Sequence, residues 1–268
     1  MARGIKNGFR AYADCRVKGI IRPYRNLNCS SEVEQTLREL RDEGVDGIII
    51  SPALRTENFY DILDEMAKSG VAVCYLLNEI EGIKAAGNVR MNGRLCGRIA
   101  AQLIGLCNRE GGDVAVLVSS NTMKLHRECR NGFIEEAKKY NLNIVGVYET
   151  LDDKNISYHV TKRIIDDFPN LRGIYVSSYN SVGTCEYLDE IGRHEVTVIG
   201  QDLYPALVEK LENGTLVATL FQNQEAQGYA AVKHLYEYIA DIHKTTFEVM
   251  TTPVLVMSSN LEGYREMY

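Results

Sequence analysis

Two polar residues stand where short apolar runs end. Val196-Thr197-Val198-Ile199 gives way to Gly200-Gln201-Asp202, and Leu216-Val217-Ala218-Thr219-Leu220-Phe221 gives way to Gln222. An ionised carboxylate accepts hydrogen bonds strongly, and a primary amide both donates and accepts. Such a pair is suited to the hydroxyl groups of a small polar ligand. Ligands of open α/β sheets bind outside the carboxyl ends of the strands, so the pair converges there if both runs are strands of one sheet. Each residue also has a plainer reading: Asp202 as the cap of a helix starting near Pro205, Gln222 as a satisfied polar group at a strand end.

The elements that would hold these residues follow from periodicity. Leu207 and Leu211 give the segment after Pro205 a helical apolar face, closed by Asn213-Gly214. Upstream, β-branched or apolar runs at Val17–Ile21, Val45–Ile50, Val71–Leu77, Val114–Val118, Ile144–Tyr148 and Gly173–Ser177 read as strands. Segments of helical spacing separate them, among them Leu95–Cys107, Glu128–Tyr140 and Ser157–Phe168. Alternation of this kind predicts doubly wound parallel sheets with right-handed crossovers. Arg109-Glu110-Gly111-Gly112-Asp113 is the clearest turn, and the βα pattern restarts after it. The predicted organisation is two α/β lobes, residues 1–108 with about 223–250 and residues 109–222 with about 251–268. Glu225–Ile242 is a long closing helix, and Phe247–Met257 a last extended segment interrupted by Pro253.

Composition excludes several classes. A chain of 268 residues with a formal charge of −6 lacks the basic face that grips a phosphate backbone, so DNA binding would need a further segment. The seven cysteines are odd in number and contain no Cys-x-x-Cys pair, which reads as reduced thiols and a cytoplasmic setting. There is no long uncharged apolar run, and no secretory apolar region follows Met1. His126-x-x-Cys129 has the spacing of a metal half-site but no second pair to complete it. No Gly-x-Ser-x-Gly, phosphate-cradling loop or His-Glu-x-x-His occurs, so neither enzyme activity, metal nor cofactor is expected.

Several stretches resemble, in the same order, the type I periplasmic binding protein fold, and specifically the effector domain of LacI-type transcription regulators and the related ribose-binding proteins. They are Glu43-Gly44-Val45-Asp46-Gly47-Ile48-Ile49-Ile50-Ser51-Pro52, Cys96-Gly97-Arg98-Ile99-Ala100-Ala101, Asn131-Gly132-Phe133, Val198-Ile199-Gly200-Gln201-Asp202 and Ala218-Thr219-Leu220-Phe221-Gln222. The resemblance implies a clam-shell of two lobes joined by crossing hinge strands and closing on a polar ligand, usually a sugar. Asp202 falls on the family's hydroxyl-binding carboxylate and Gln222 on its hinge glutamine. Ser178 falls where an asparagine or aspartate is usual, and Arg127 on an arginine that some members carry.

The chain also departs from the pattern. The family's commoner arginine slot is Cys129, with Arg127 and Arg130 on either side; a solvated first helical turn is the plainer reading of both. Leu77-Asn78 replaces an Asp-Arg pair, and Asn92 stands where an aspartate is common. The family's first strand has no counterpart before Met1. Tyr24, Tyr179 and Tyr204 are aromatic candidates near strand ends.

The expectation is therefore a cytoplasmic, dimeric effector-sensing domain of a LacI-type regulator. It would bind a sugar or polyol through Asp202, Gln222, Arg127, Ser178, Asn78 and Arg130, and reach operator DNA through an amino-terminal helix-turn-helix outside this chain. Two alternatives stand beside it: the solute-binding protein of a sugar ABC transporter, and an enzyme built on the same architecture.

Overall fold

In the computed structural model, residues 1–23, 30–52, 59–242 and 245–267 are described. In chain order the elements are α1 (Ala2–Ala11), α2 (Ser30–Asp42), β1 (Gly47–Ile50), α3 (Tyr60–Lys68), β2 (Ala72–Leu76), β3 (Gly87–Met91) and α4 (Gly93–Cys107). There follow β4 (Gly112–Val118), α5 (Lys124–Ala137), β5 (Leu142–Glu149), α6 (Lys154–Asp167), β6 (Gly173–Val176) and α7 (Ser181–Ile191). The chain closes with β7 (Thr197–Gln201), α8 (Pro205–Glu212), β8 (Leu216–Phe221), α9 (Gln224–Ile239), β9 (Phe247–Thr251) and β10 (Val254–Val256). They form two compact units. One comprises Met1–Met91 and Asn223–Thr251, the other Asn92–Gln222 and Thr252–Tyr268.

In the first unit the strands run β1-β2-β3-β9, all parallel. β2 and β3 are buried along their whole length, as expected of parallel strands covered on both faces. α1 lies directly on α9, because Gly4 and Gly8 present no side chain. A Cβ at Gly4 would stand 1.9 Å from the Glu225 carbonyl oxygen, and one at Gly8 2.7 Å from Val232 Cβ. Arg3 and Asn7 both donate to the Glu225 carboxylate at the same crossing.

β1 is the end strand of this sheet, and a groove of about 590 Å³ lined by Phe9, Val17, Ile20, Leu37, Ile48 and Leu235 lies beside it. The strand expected over Val17–Ile21 is not formed. A strand exists only through its ladder, and that segment pairs with no strand among the described residues.

The second unit has the order β10-β8-β7-β6-β4-β5, parallel except for β10, which pairs antiparallel with β8. β4 lies between β5 and β6, so the winding reverses at the β4–β6 boundary, the position where α/β sheets open a crevice at the strand ends. The core is apolar throughout, with Leu117, Ile174, Val176, Val198, Leu207 and Leu216 buried. Behind the sheet, the Phe133 and Tyr175 rings stack with centroids 5.4 Å apart.

One further feature differs from the sequence-based expectation, and the division of the last extended segment agrees with it. The predicted boundary at Arg109 placed the helix that is now α4 in the first lobe, but α4 belongs to the second unit, where it packs tightly on α5. The backbone contact at Gly97, and not the turn at Gly111-Gly112, decides this: a Cβ on Gly97 would lie 1.8 Å from the Cys129 carbonyl oxygen. The carboxyl-terminal extended segment divides at Pro253 into β9 and β10, one strand in each unit. Proline lacks the N–H that a continuous ladder would require. Among the described residues no helix is long and apolar enough to cross a membrane.

Candidate functional site

Every parallel strand of the second unit ends in polar residues, along the same edge of the sheet. After β4 come Ser119-Ser120-Asn121-Thr122, after β5 Thr150-Leu151-Asp152, after β6 Ser177-Ser178-Tyr179-Asn180, after β7 Asp202 and after β8 Gln222. The arrangement follows from topology, since parallel strands point all their carboxyl ends one way.

The two residues with which the sequence reading began meet here. Gln222 Nε2 donates to Asp202 Oδ2 at 2.9 Å, and both residues are buried, at 7% and 6% exposure. β7 and β8 are adjacent, with Gln201 paired to Leu220, which brings Asp202, one residue further on, close to Gln222, two residues further on. Asp202 takes a left-handed backbone (φ 66°), a conformation in which aspartate costs less than most residues. Its N–H donates to Leu220 O at 3.0 Å, and Thr219 Oγ1 donates to its carbonyl oxygen. The alternative reading of Asp202 as a helix cap is not realised: the N-cap of α8 is Tyr204, without a side-chain cap bond. Both residues lie in the second unit, after adjacent strands of one sheet.

Around this pair the remaining predicted residues fare differently. Ser178 is fully buried and accepts from Thr150 Oγ1 at 3.0 Å, so it ties β6 to β5 beneath the surface. Arg127 donates to Thr122 O at 2.6 Å and Arg130 to Asn121 Oδ1 at 2.8 Å. Both arginines therefore hold the loop after β4 from the first turns of α5. Asn78 lies in the first unit after β2, beside Leu77 at φ 71°; its Oδ1 is buried with no hydrogen-bond partner among the described residues. Asn92 is the N-cap of α4, its Oδ1 accepting from Leu95 N at 2.9 Å. Tyr179 and Tyr204 stack at 4.3 Å, and Tyr179 is 48% exposed. Tyr24 lies outside the described residues. The groove beside β1 contains none of the predicted site residues.

Sequence reasoning missed Asp152. Its Oδ2 accepts from Ser119 Oγ at 2.7 Å, its Oδ1 from Tyr179 N at 3.1 Å, and its carbonyl oxygen from Asn180 Nδ2. One carboxylate thus ties together the loops after β4, β5 and β6. Leu151 and Asp152 are both left-handed (φ 53° each), which turns the loop sharply enough to bring the carboxylate inward. The available signal was Thr150-Leu151-Asp152-Asp153 directly after a predicted strand. His126 sits alongside, its Nδ1 3.3 Å from Ser177 Oγ; burial holds it below the ordinary histidine pKa despite the opposing pull of Asp152. It serves this polar cluster, and among the described residues no group of side chains is placed to hold a metal.

A two-unit α/β molecule with polar residues massed at parallel strand ends, and with three chain crossings between the units, defines the class: a type I periplasmic binding protein fold. The chain belongs to the periplasmic binding protein domain family, which it matches over residues 2–243. It is 26% identical over 213 residues to the D-allose-binding periplasmic protein of Escherichia coli (strain K12), covering 74% of this chain and 67% of the relative. A sugar-binding protein of a sugar ABC transporter from Bacillus halodurans superimposes with a TM-score of 0.86 at 22% identity, over 98% of this chain and 94% of that one. A solute-binding protein of an ABC transporter from Burkholderia graminis C4D1M, in complex with D-arabinose, gives a TM-score of 0.86 at 22% identity, over 97% and 92%.

These matches correct the expectation of a cytoplasmic LacI-type regulator acting on operator DNA. The similar proteins are solute-binding proteins of transporters, and the curated relative is periplasmic. The cysteines misled because Cys74, Cys96, Cys129 and Cys185 are all core residues. A buried thiol is retained for its packing as a small apolar group and says little about the redox compartment.

Proposed function

We propose that this protein is the sugar-binding, solute-binding component of an ABC transporter and acts outside the cytoplasm. The observation that carries the reading is the buried Gln222–Asp202 pair at the adjacent ends of β7 and β8. A carboxylate beside a primary amide can accept from and donate to ligand hydroxyls, and hydrogen bonds to charged groups contribute about 1.5–3 kcal/mol each. Asp202 and Gln222 are the direct contacts in this reading. Arg127, Arg130 and Ser178 fix the loops around them. The sugar-binding relatives and the family match support the assignment; their own sugars, D-allose and D-arabinose, are the first compounds to try.

The test is a thermal-shift screen over aldoses, ketoses and inositols, followed by calorimetry on any hit. A sugar at a hundred times its dissociation constant should stabilise the protein by about 2.7 kcal/mol. A flat screen across all these compounds, with the protein folded, would overturn the assignment.

A further inference from the structure

Beneath the candidate site, α4 and α5 cross with their backbones in contact. Glycines make this possible on both sides of the crossing: a Cβ on Gly97 would lie 1.8 Å from the Cys129 carbonyl oxygen, and one on Gly132 2.1 Å from the Arg94 carbonyl oxygen. At this crossing Cys96 of α4 and Cys129 of α5 are both buried, at 0% and 1% exposure, with the Cys129 backbone against Gly97, the residue next to Cys96; Cys129 is also the largest influence on the Cys96 thiol.

The other described cysteines are placed differently. Cys74 turns its sulfur to the Tyr75 carbonyl oxygen in the first unit, Cys185 lies in the core among the helices of the second, and Cys15 and Cys107 are exposed. Two thiols brought together by a crossing too close for any larger side chain are positioned to bond.

We propose that Cys96 and Cys129 form a disulfide that staples α4 to α5 when the protein folds under oxidising conditions. The reaction is thiol–disulfide exchange with a disulfide oxidant such as glutathione disulfide. One cysteine thiolate attacks the oxidant and expels one glutathione thiolate. The second cysteine then attacks the mixed disulfide and expels the other. Two protons leave the cysteines, two electrons pass to the oxidant, and one sulfur–sulfur bond forms in the protein while one is lost in the oxidant. Because both sulfurs are buried in the finished structure, the exchange takes place before the helices close. Contact with Cys129 and burial hold the Cys96 thiol well above its ordinary pKa once they have closed, which keeps the folded dithiol unreactive. The bond would close the loop that carries β4 and the Ser119–Thr122 turn, and so restrain the part of the site reached by Arg127 and Arg130.

The experiment is to refold the full chain in a glutathione redox buffer, unfold it in guanidinium with an alkylating agent, and map the product by mass spectrometry. Two of the seven cysteines should resist alkylation, and digestion should yield a peptide linking Cys96 to Cys129. The melting temperature should exceed that of the protein refolded with reductant by on the order of 10 °C. Cys74→Ser should keep the link, and Cys129→Ser should leave every remaining thiol free. Alkylation of all seven cysteines after oxidative refolding, or a link between any other pair, overturns the proposal. Neither outcome depends on whether the protein binds a sugar.

Discussion

Gln222 Nε2 donates to Asp202 Oδ2 at 2.9 Å although the two residues end different strands, and this bond ties the carboxylate to the neighbouring strand end. Asp202→Ala removes the charge and the acceptor of the Gln222 amide bond at 2.9 Å. Binding of the sugar identified by screening should weaken about 100-fold, since a charged hydrogen bond and the desolvation of its partner together amount to about 2–3 kcal/mol. Gln222→Ala should weaken it less, because the carboxylate remains. Calorimetry on both variants decides the matter, and equal affinity for wild type and Asp202→Ala would remove the residue from the site.

Acid should destabilise the protein through His126. The ring is buried against Ser177, and burial, the largest cause, holds its pKa below the ordinary histidine value, with the Asp152 charge opposing it. With the folded pKa depressed, the unfolded chain takes up the proton first as the pH drops. The stability contribution is therefore intact above about pH 6.5 and declines progressively below it, until the folded ring also protonates. Urea midpoints measured between pH 7.5 and pH 5 should fall, and the fall should be shallower in His126→Gln. A slope unchanged by that substitution would assign the effect to other groups.

Gly97→Ala tests the helix crossing. Alanine ordinarily stabilises a helix interior by about 1 kcal/mol over glycine. Here its Cβ would meet the Cys129 carbonyl oxygen at 1.8 Å, a backbone atom that cannot swing aside. The net effect should be a loss on the order of 3 kcal/mol, read by denaturant unfolding. A neutral or stabilising result would show that α4 and α5 are not in backbone contact.

The sequence alone determined the alternation of strands and helices, the parallel sheets that alternation requires, and the placing of Asp202 and Gln222 at neighbouring strand ends. These follow from local periodicity and turn chemistry, which depend on residues close together in the chain. It also carried the type I periplasmic binding protein fold, through motifs whose order reflects the same topology, but it pointed within that fold to LacI-type regulators, whereas the similar proteins are solute-binding proteins.

The tertiary structure decided the rest. Periodicity gave α4 an apolar face but not its partner; the contact of Gly97 with Cys129 chose α5. Val17–Ile21 has strand composition and forms no strand, since a ladder needs a neighbour and composition does not supply one. Asp152 looked like an ordinary turn residue until folding brought Ser119 and Tyr179 to its two oxygens. Cys96 and Cys129 read as separate helix residues until their helices crossed. In each case the deciding interaction joins residues far apart in the chain, and its energy depends on a distance that only the folded arrangement fixes.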